Sequence, residues 1–469
     1  MRYDVVVVGG GTAGCVLAAR LSESPDRRVC LVEAGPDHGL LAEGRWPADI
    51  LDARDLARSH LWAAGGEDGR SLGGRLLGGS SSVNACMVVA GSPADYDEWG
   101  PGWSYADLRP FLDRARAELR TSSANTDRPT AYQRAFLEAA QAAGLPLVDV
   151  DDPATPVGVG AFPANVADGT RWNASFAYLD PARARPNLSI LGEMLVDRVV
   201  FDGSRATGVV TADGRQLEAD TVLLAAGAYF SPAILLRSGI GPEAELRRLG
   251  IAVVEDLPVG KRLLDHCGTD VSFEVAPELQ AQTDAEAAEG GVFAAHAVAK
   301  VASTSCAPDS WDLHLVPWIS RAEDDRFRAY VIVFHMKPLS TGSVRLRSAD
   351  PADAPLVERG FLSRGEDLGP LLEGVELARA IAGTEPLKGL LAAELAPAGL
   401  DPEEYVRGTI RNYFHPAGTC PLGTVVDTHG RVFGVDGLHV ADASFMPTIP
   451  RANTNLTTAA VAEKIAAGF

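Results

Sequence analysis

Val5 to Val8 is an unbroken β-branched run, the pattern of a strand buried on both faces. Glycines crowd positions 9 to 14, and the apolar stretch Cys15-Val16-Leu17-Ala18-Ala19, continued by Arg20-Leu21, predicts a helix. Val29-Cys30-Leu31-Val32 reads as the next buried strand, so the chain opens with a βαβ unit. Residues 36 to 75 are rich in Gly, Pro, Asp and Arg without a period and read as loops with short elements. Gly78-Gly79-Ser80-Ser81-Ser82 is another sharp loop. Tyr105–Arg120 and Thr130–Ala143 predict amphipathic helices, and the polar stretch Thr121–Asp127 before the second reads as a loop. Segment 187–227 reads as strands with turns at Asp202-Gly203 and Asp213-Gly214, ending in the buried run Thr221 to Gly227. From 269 to 348 the pattern changes. Short strand-like pieces at Val292–Val301, Trp311–Trp318 and Tyr330–Phe334, and the alternation over Gly342–Leu346, predict a mostly antiparallel sheet and a second domain. Helix Asp367–Ala382 follows. Strand Leu438–Val440 and helix Thr457–Ala467 then return to the opening pattern.

The 469 residues, 46% apolar and 22% charged, suffice for two or three domain-sized units with a core that needs no disulfides. Lys plus Arg total 42 against 62 Asp plus Glu, a net charge of −20 that repels polyanions. Nucleic acid and membrane surfaces are therefore not expected partners, and solubility accounts for the charge. None of the 6 cysteines forms a CxxC pair, and Cys15 and Cys30 sit in apolar runs; reduced thiols in a cytoplasmic protein are expected. The 9 histidines fall in no metal-ligand spacing, so no metal site is expected. The start of the chain lacks the pattern of a signal peptide, and no apolar stretch approaches the ~18 residues of a membrane span.

Gly9-x-Gly11-x-x-Gly14 lies directly between a strand and a helix. Its glycines serve a tight turn, close approach of backbone to a pyrophosphate and close packing of helix on strand, with the helix N-terminus facing the phosphates. Glu33 closes the second strand, where a carboxylate accepts ribose hydroxyls. This predicts a dinucleotide site but does not separate FAD from NAD. The loop Gly78 to Asn84 could let backbone approach a flat ring, or be an ordinary glycine turn. Near the C-terminus stand Phe414-His415-Pro416-Ala417-Gly418-Thr419, Val440-Ala441-Asp442-Ala443-Ser444 and Arg451-Ala452-Asn453-Thr454-Asn455. A neutral histidine can take a hydroxyl proton, but the pattern alone does not select His415 over His335 or His439.

These stretches resemble the glucose–methanol–choline oxidoreductases along nearly the whole chain. One family signature is similar to Gly74 to Asn84, and a second to Gly227-Ala228-Tyr229-Phe230-Ser231-Pro232 continuing to Pro242. Further similarity covers Gly102 to Tyr105, Leu257 to Gly260 with Asp265-His266, and Arg345 to Pro351. The resemblance implies an α/β fold: a Rossmann-like FAD-binding domain interleaved with an α+β substrate domain built on an antiparallel sheet. The FAD domain would comprise 1–100, 187–265 and 412–469, with a lid or loop region at about 36–75. The substrate domain would comprise 101–186 and 266–411. It also implies oxidation of a small-molecule alcohol to an aldehyde or ketone, with hydride passing to flavin N5 and reduced flavin reoxidised by oxygen or another acceptor. His415 becomes the base and Asn453 its partner. The implied FAD contacts are Gly9, Gly11, Gly14, Glu33, Gly79, Ser80, Asn84, Val196, Asp442 and Asn455.

The chain also departs from the family pattern. Where some members attach FAD through a histidine, this chain has Val83, so FAD held without a covalent link is expected. Many members are longer in the substrate domain and lid. Trp318, Phe334 and His335 are possible pocket residues, with core packing as the other reading. Two rivals stay open at this point: a non-redox lyase that keeps FAD as a structural group, and an NAD-dependent dehydrogenase using the same fingerprint.

Overall fold

The computed structural model describes residues 2–63, 71–123, 129–155, 157–290 and 295–469. The opening residues of the strand expected from Val292, four residues of the loop expected over 121–127, and part of the loop region 36–75 lie outside the described residues.

The fold is mixed α/β, built on two large sheets. In the first, Leu188–Leu191, Val29–Val32, Arg2–Val8 and Gln216–Leu224 run parallel, and Leu438–Val440 adds in parallel to Gln216–Leu224. Arg205–Thr211 and Val196–Asp202 extend the edge antiparallel. The β-branched run Val5 to Val8 is buried throughout, between strands paired on both of its edges and against helix Thr12–Leu21. Helix Thr12–Leu21 buries all its residues except Arg20, and each large apolar side chain such as Leu17 or Leu21 contributes roughly 1.5–3 kcal/mol. The C-terminal helix Thr454–Ala466 packs beside it. It starts earlier than the expected Thr457 because Asn453 N–H donates to Val89 O at 3.1 Å, which fixes the extended residue before the first turn.

The second sheet is antiparallel, in the order Leu391–Ala396, Cys267–Val275, Phe327–His335, Leu313–Arg321, Ala297–Val301 and Gly158–Ala161. Helices Ala131–Ala142 and Leu368–Ala382 cover one of its faces. The other carries a smaller apolar cluster containing Val298, Val316 and Phe334. The alternating stretch Gly342–Leu346 is not in this sheet. Ser343–Arg345 pairs with Leu356–Glu358 as a separate ribbon, because Val344 N–H donates to Gly260 O and Leu263 N–H to Gly342 O, both at 2.8 Å.

Segment 101–186 divides between the two cores. Leu108, Leu112 and Phe176 pack with the first sheet, whereas Tyr132, Phe136 and Val159 pack with the second. Tyr105–Glu118 lies against the C-terminal helix, with Arg20 donating to both Glu118 and the buried Glu463. An amphipathic period shows that a helix has a buried face but not which core receives it.

Candidate active site

The glycine fingerprint folds where the first strand meets its helix. Gly9 has φ +98°, the left-handed region, and a Cβ there would lie 2.7 Å from Ala225 O. Gly11 caps helix Thr12–Leu21 with no side chain on the helix N–H groups. A Cβ on Gly79, at φ +52°, would meet Gly11 Cα at 2.6 Å, so the second glycine loop reaches the fingerprint. Glu33 is buried; its carboxylate accepts Gly10 N–H and Gly35 N–H, both at 2.7 Å, and burial pushes it up to about 6.

Of the other residues expected around the dinucleotide, Asn455 bonds the first residue of the helix that follows this turn. Asn455 Oδ1 accepts the Thr12 hydroxyl at 2.6 Å, while its Nδ2 is buried with no partner among the described residues. Asn84 Oδ1 accepts Cys86 N–H at 3.0 Å. Ser80 is exposed and Val196 is buried at the start of its strand. Asp442 is engaged by the chain itself: one oxygen accepts Gly227 N–H and the Ser231 hydroxyl, the other Ser444 N–H and its hydroxyl. The uncapped helix end, the side-chain-free approach at Gly11 and the orphaned Asn455 donor fit a dinucleotide pyrophosphate and its attached ring.

His415 follows Phe414, which is held at φ +62°. Its backbone N–H donates to Asp265 at 2.9 Å, and that buried carboxyl is pushed up to about 7. The hydrogen bonds around the ring define its protons. Val89 N–H donates to Asn453 Oδ1 at 3.0 Å, which turns Asn453 Nδ2 toward His415 Nε2 at 3.3 Å. Nδ2 is a donor, so Nε2 carries the lone pair and Nδ1 the proton. That proton is donated to His266 Nδ1, 2.8 Å away, with the two rings perpendicular. Burial holds the His415 imidazole down to about 3, so it is neutral near pH 7. An alcohol oxygen placed between Asn453 Nδ2 and His415 Nε2 would accept from the amide and donate to the ring. His266 belonged to a matched stretch of sequence but nothing in its spacing marked it; the pairing across 149 positions is tertiary.

His335 and His439 stand elsewhere. His335 Nδ1 lies 3.8 Å from Asp367, at the start of helix Leu368–Ala382. His439 bonds the His429 carbonyl at 3.2 Å and packs on Phe469. Of the three possible pocket residues, Phe334 and Trp318 belong to the apolar cluster with Tyr413 and Val316, whereas His335 projects from the opposite side of its strand, being the next residue after Phe334. The Tyr413 ring stacks on Phe334 at 3.6 Å and lies 4.3 Å from the His415 ring. Among the described residues no group of three or more His, Cys, Asp or Glu could hold a metal ion.

The family model for GMC oxidoreductases matches residues 3–268 with its N-terminal part and 338–462 with its C-terminal part. The chain is 36% identical to a 5-(hydroxymethyl)furfural oxidase of Methylovorus sp. (strain MP688), over 99% of this chain and 98% of the relative. It is 34% identical to the mitochondrial choline dehydrogenase of Homo sapiens, over 99% of this chain and 89% of the relative. The crystal structure of pyridoxine 4-oxidase from Mesorbium loti superposes with a TM-score of 0.85 at 28% identity, covering 100% of this chain and 99% of that one.

Proposed function

Because the chain belongs to the GMC oxidoreductases, flavin-dependent enzymes acting on alcohols, we propose that it oxidises an alcohol to the aldehyde or ketone with His415 as the base. The observation that carries the reading is the buried His415–Asn453 pair, with a lone pair and an amide N–H presented to one point. Bound FAD would supply the acceptor for the carbon-bound hydride. Gly9, Gly11, Gly14, Glu33, Gly79, Ser80, Asn84, Val196, Asp442 and Asn455 would hold it. His415 Nε2 takes the hydroxyl proton, Asn453 Nδ2 supports the negative charge that forms on oxygen, and His266 Nδ1 accepts from the imidazolium that results. Val89 N–H and His266 keep both groups in the orientation the transfer needs.

The test is an anaerobic screen of alcohols, amino alcohols and sugars scored by loss of flavin colour. Bleaching supports oxidation; retained colour with turnover of a cyanohydrin supports the lyase rival. Oxygen or another acceptor would reoxidise the flavin. All six cysteines are unpaired, which supports the cytoplasmic placement, and among the described residues no helix is long and apolar enough to cross a membrane.

The pH dependence follows from burial. The base form of His415 is present above its depressed pKa of about 3 and is lost only below it. The flavin reduction rate constant is therefore expected to be flat from about pH 5 to 9. Stopped-flow rates across that range check this; a falling limb near pH 6.5 would show that the ring titrates as in water.

Val83 cannot form the link that a histidine there can, so FAD is expected to be non-covalent. Acid precipitation should release all the yellow colour into the supernatant. Colour remaining with the pellet would refute this.

A further inference from the structure

Two buried polar side chains on the wall beside His415 have no part in the proton transfer. Lys300, His314, Phe334 and Gly268 are successive partners across four antiparallel strands. Directly opposed residues project from the same face, with strands about 4.8 Å apart. The row begins at the reaction centre, where Phe334 stacks on Tyr413 and Tyr413 touches His415. His314 stands one strand further out, its ring perpendicular to Tyr413 at 6.4 Å. It is fully buried, and neither ring nitrogen has a partner among the described residues. Lys300 is one strand beyond, 1% exposed, with Nζ donating to Val150 O at 2.8 Å and lying 4.4 Å from the Trp311 ring centroid. Around them Val89, Phe162, Val298 and Val316 are apolar. A buried imidazole with no partner and an ammonium with N–H groups to spare are costly unless something meets them.

We propose that this row receives the far end of the substrate, and that the enzyme prefers alcohols with an apolar body and a terminal carboxylate or other hydrogen-bond acceptor over quaternary ammonium alcohols. The inference rests on the alcohol-oxidation reading. Burial keeps His314 neutral, with its pKa down to about 3, so it offers one N–H; burial lowers Lys300 only to about 8, so it stays charged at neutral pH. A cationic tail reaching along this row would meet the Lys300 ammonium instead of an opposite charge. The nearby Asp151 is already paired with Arg116 at 2.7 Å and accepts Ala90 N–H. Asp265 lies behind His415, on its backbone N–H and 3.8 Å from Arg359.

The experiment compares anaerobic flavin reduction of the FAD-loaded enzyme by 4-(hydroxymethyl)benzoate, benzyl alcohol and choline, and titrates the dead-end ligand terephthalate against the flavin spectrum. The parent should reduce with 4-(hydroxymethyl)benzoate at a kcat/KM about tenfold above benzyl alcohol, and bind terephthalate. Choline should leave the flavin oxidised. Lys300→Met should lower kcat/KM for the carboxylate substrate about tenfold more than for benzyl alcohol, and weaken terephthalate in step. His314→Phe applies the same comparison should Lys300→Met fail to retain FAD. Preference for choline, or equal losses on both aromatic substrates, would overturn the tail site while leaving alcohol oxidation standing. Flavin left oxidised by every alcohol, including the wider screen, would overturn the oxidation reading and the tail site with it.

Discussion

His415→Ala is expected to slow flavin reduction by about 100-fold or more, roughly 2.7 kcal/mol of barrier, with FAD still bound. Asn453 Nδ2 meets the ring at 3.3 Å, and the ring's Nε2 is the lone pair that would face an alcohol hydroxyl. Removing the ring leaves a buried donor and takes away the lone pair beside Asn453: His266 stands behind the ring, on its Nδ1, His335 sits beside Asp367 and His439 on the His429 carbonyl. Asn453→Ala should cost less, because the base survives and only the support of the developing alkoxide is lost. The two effects should be less than additive, because both groups act on one oxygen. Stopped-flow reduction of the FAD-loaded variants measures all three. A His415→Ala enzyme that reduces its flavin as fast as the parent across about pH 6 to 9 would mean the base is another group.

How much of this was legible in the sequence depends on the range of the contact. The opening strand, helix and strand could be read from Val5–Val8, the apolar run after Gly14 and Val29–Val32, because each element's period is local and both its faces are buried. The antiparallel sheet could be read as strand-like pieces, but its register could not. The alignment of Lys300, His314 and Phe334 in one row depends on pairing between strands, which no local pattern records. The same limit hid His266: His415 could be singled out only through resemblance, and its ring partner comes from a strand edge far away in the chain. Asp442 is tied in the same long-range way: its carboxylate joins Gly227 and Ser231, far away in the chain, to Ser444.

Gly14→Ala is expected to give a protein that melts several degrees lower and has lost most of its flavin. A Cβ on Gly14 would lie 1.8 Å from Gly9 O and 2.9 Å from Gly9 C, and both atoms are backbone that cannot swing aside. The helix would have to lift off the strand. It is not free to do so: Thr12 bonds Asn455 at 2.6 Å, and Arg20 bonds Glu463 at 2.9 Å, so its two ends are tied to the C-terminal helix that begins beside Asn453. Overpacking of this kind costs about 1–3 kcal/mol and displaces the turn that would hold the pyrophosphate. Gly11→Ala separates the two consequences. Among the described residues a Cβ there meets only Gly79 Cα, at 3.9 Å, which leaves room for the methyl group. Apoprotein of Gly11→Ala should melt with the parent, yet bind FAD at least about tenfold more weakly, because the methyl group fills the space a phosphate needs. Thermal melts of the apoproteins and flavin titrations distinguish the cases. If Gly14→Ala melts with the parent, the close helix–strand contact is not what that glycine provides. If Gly11→Ala binds FAD as tightly as the parent, the pyrophosphate does not lie against the turn at Gly11.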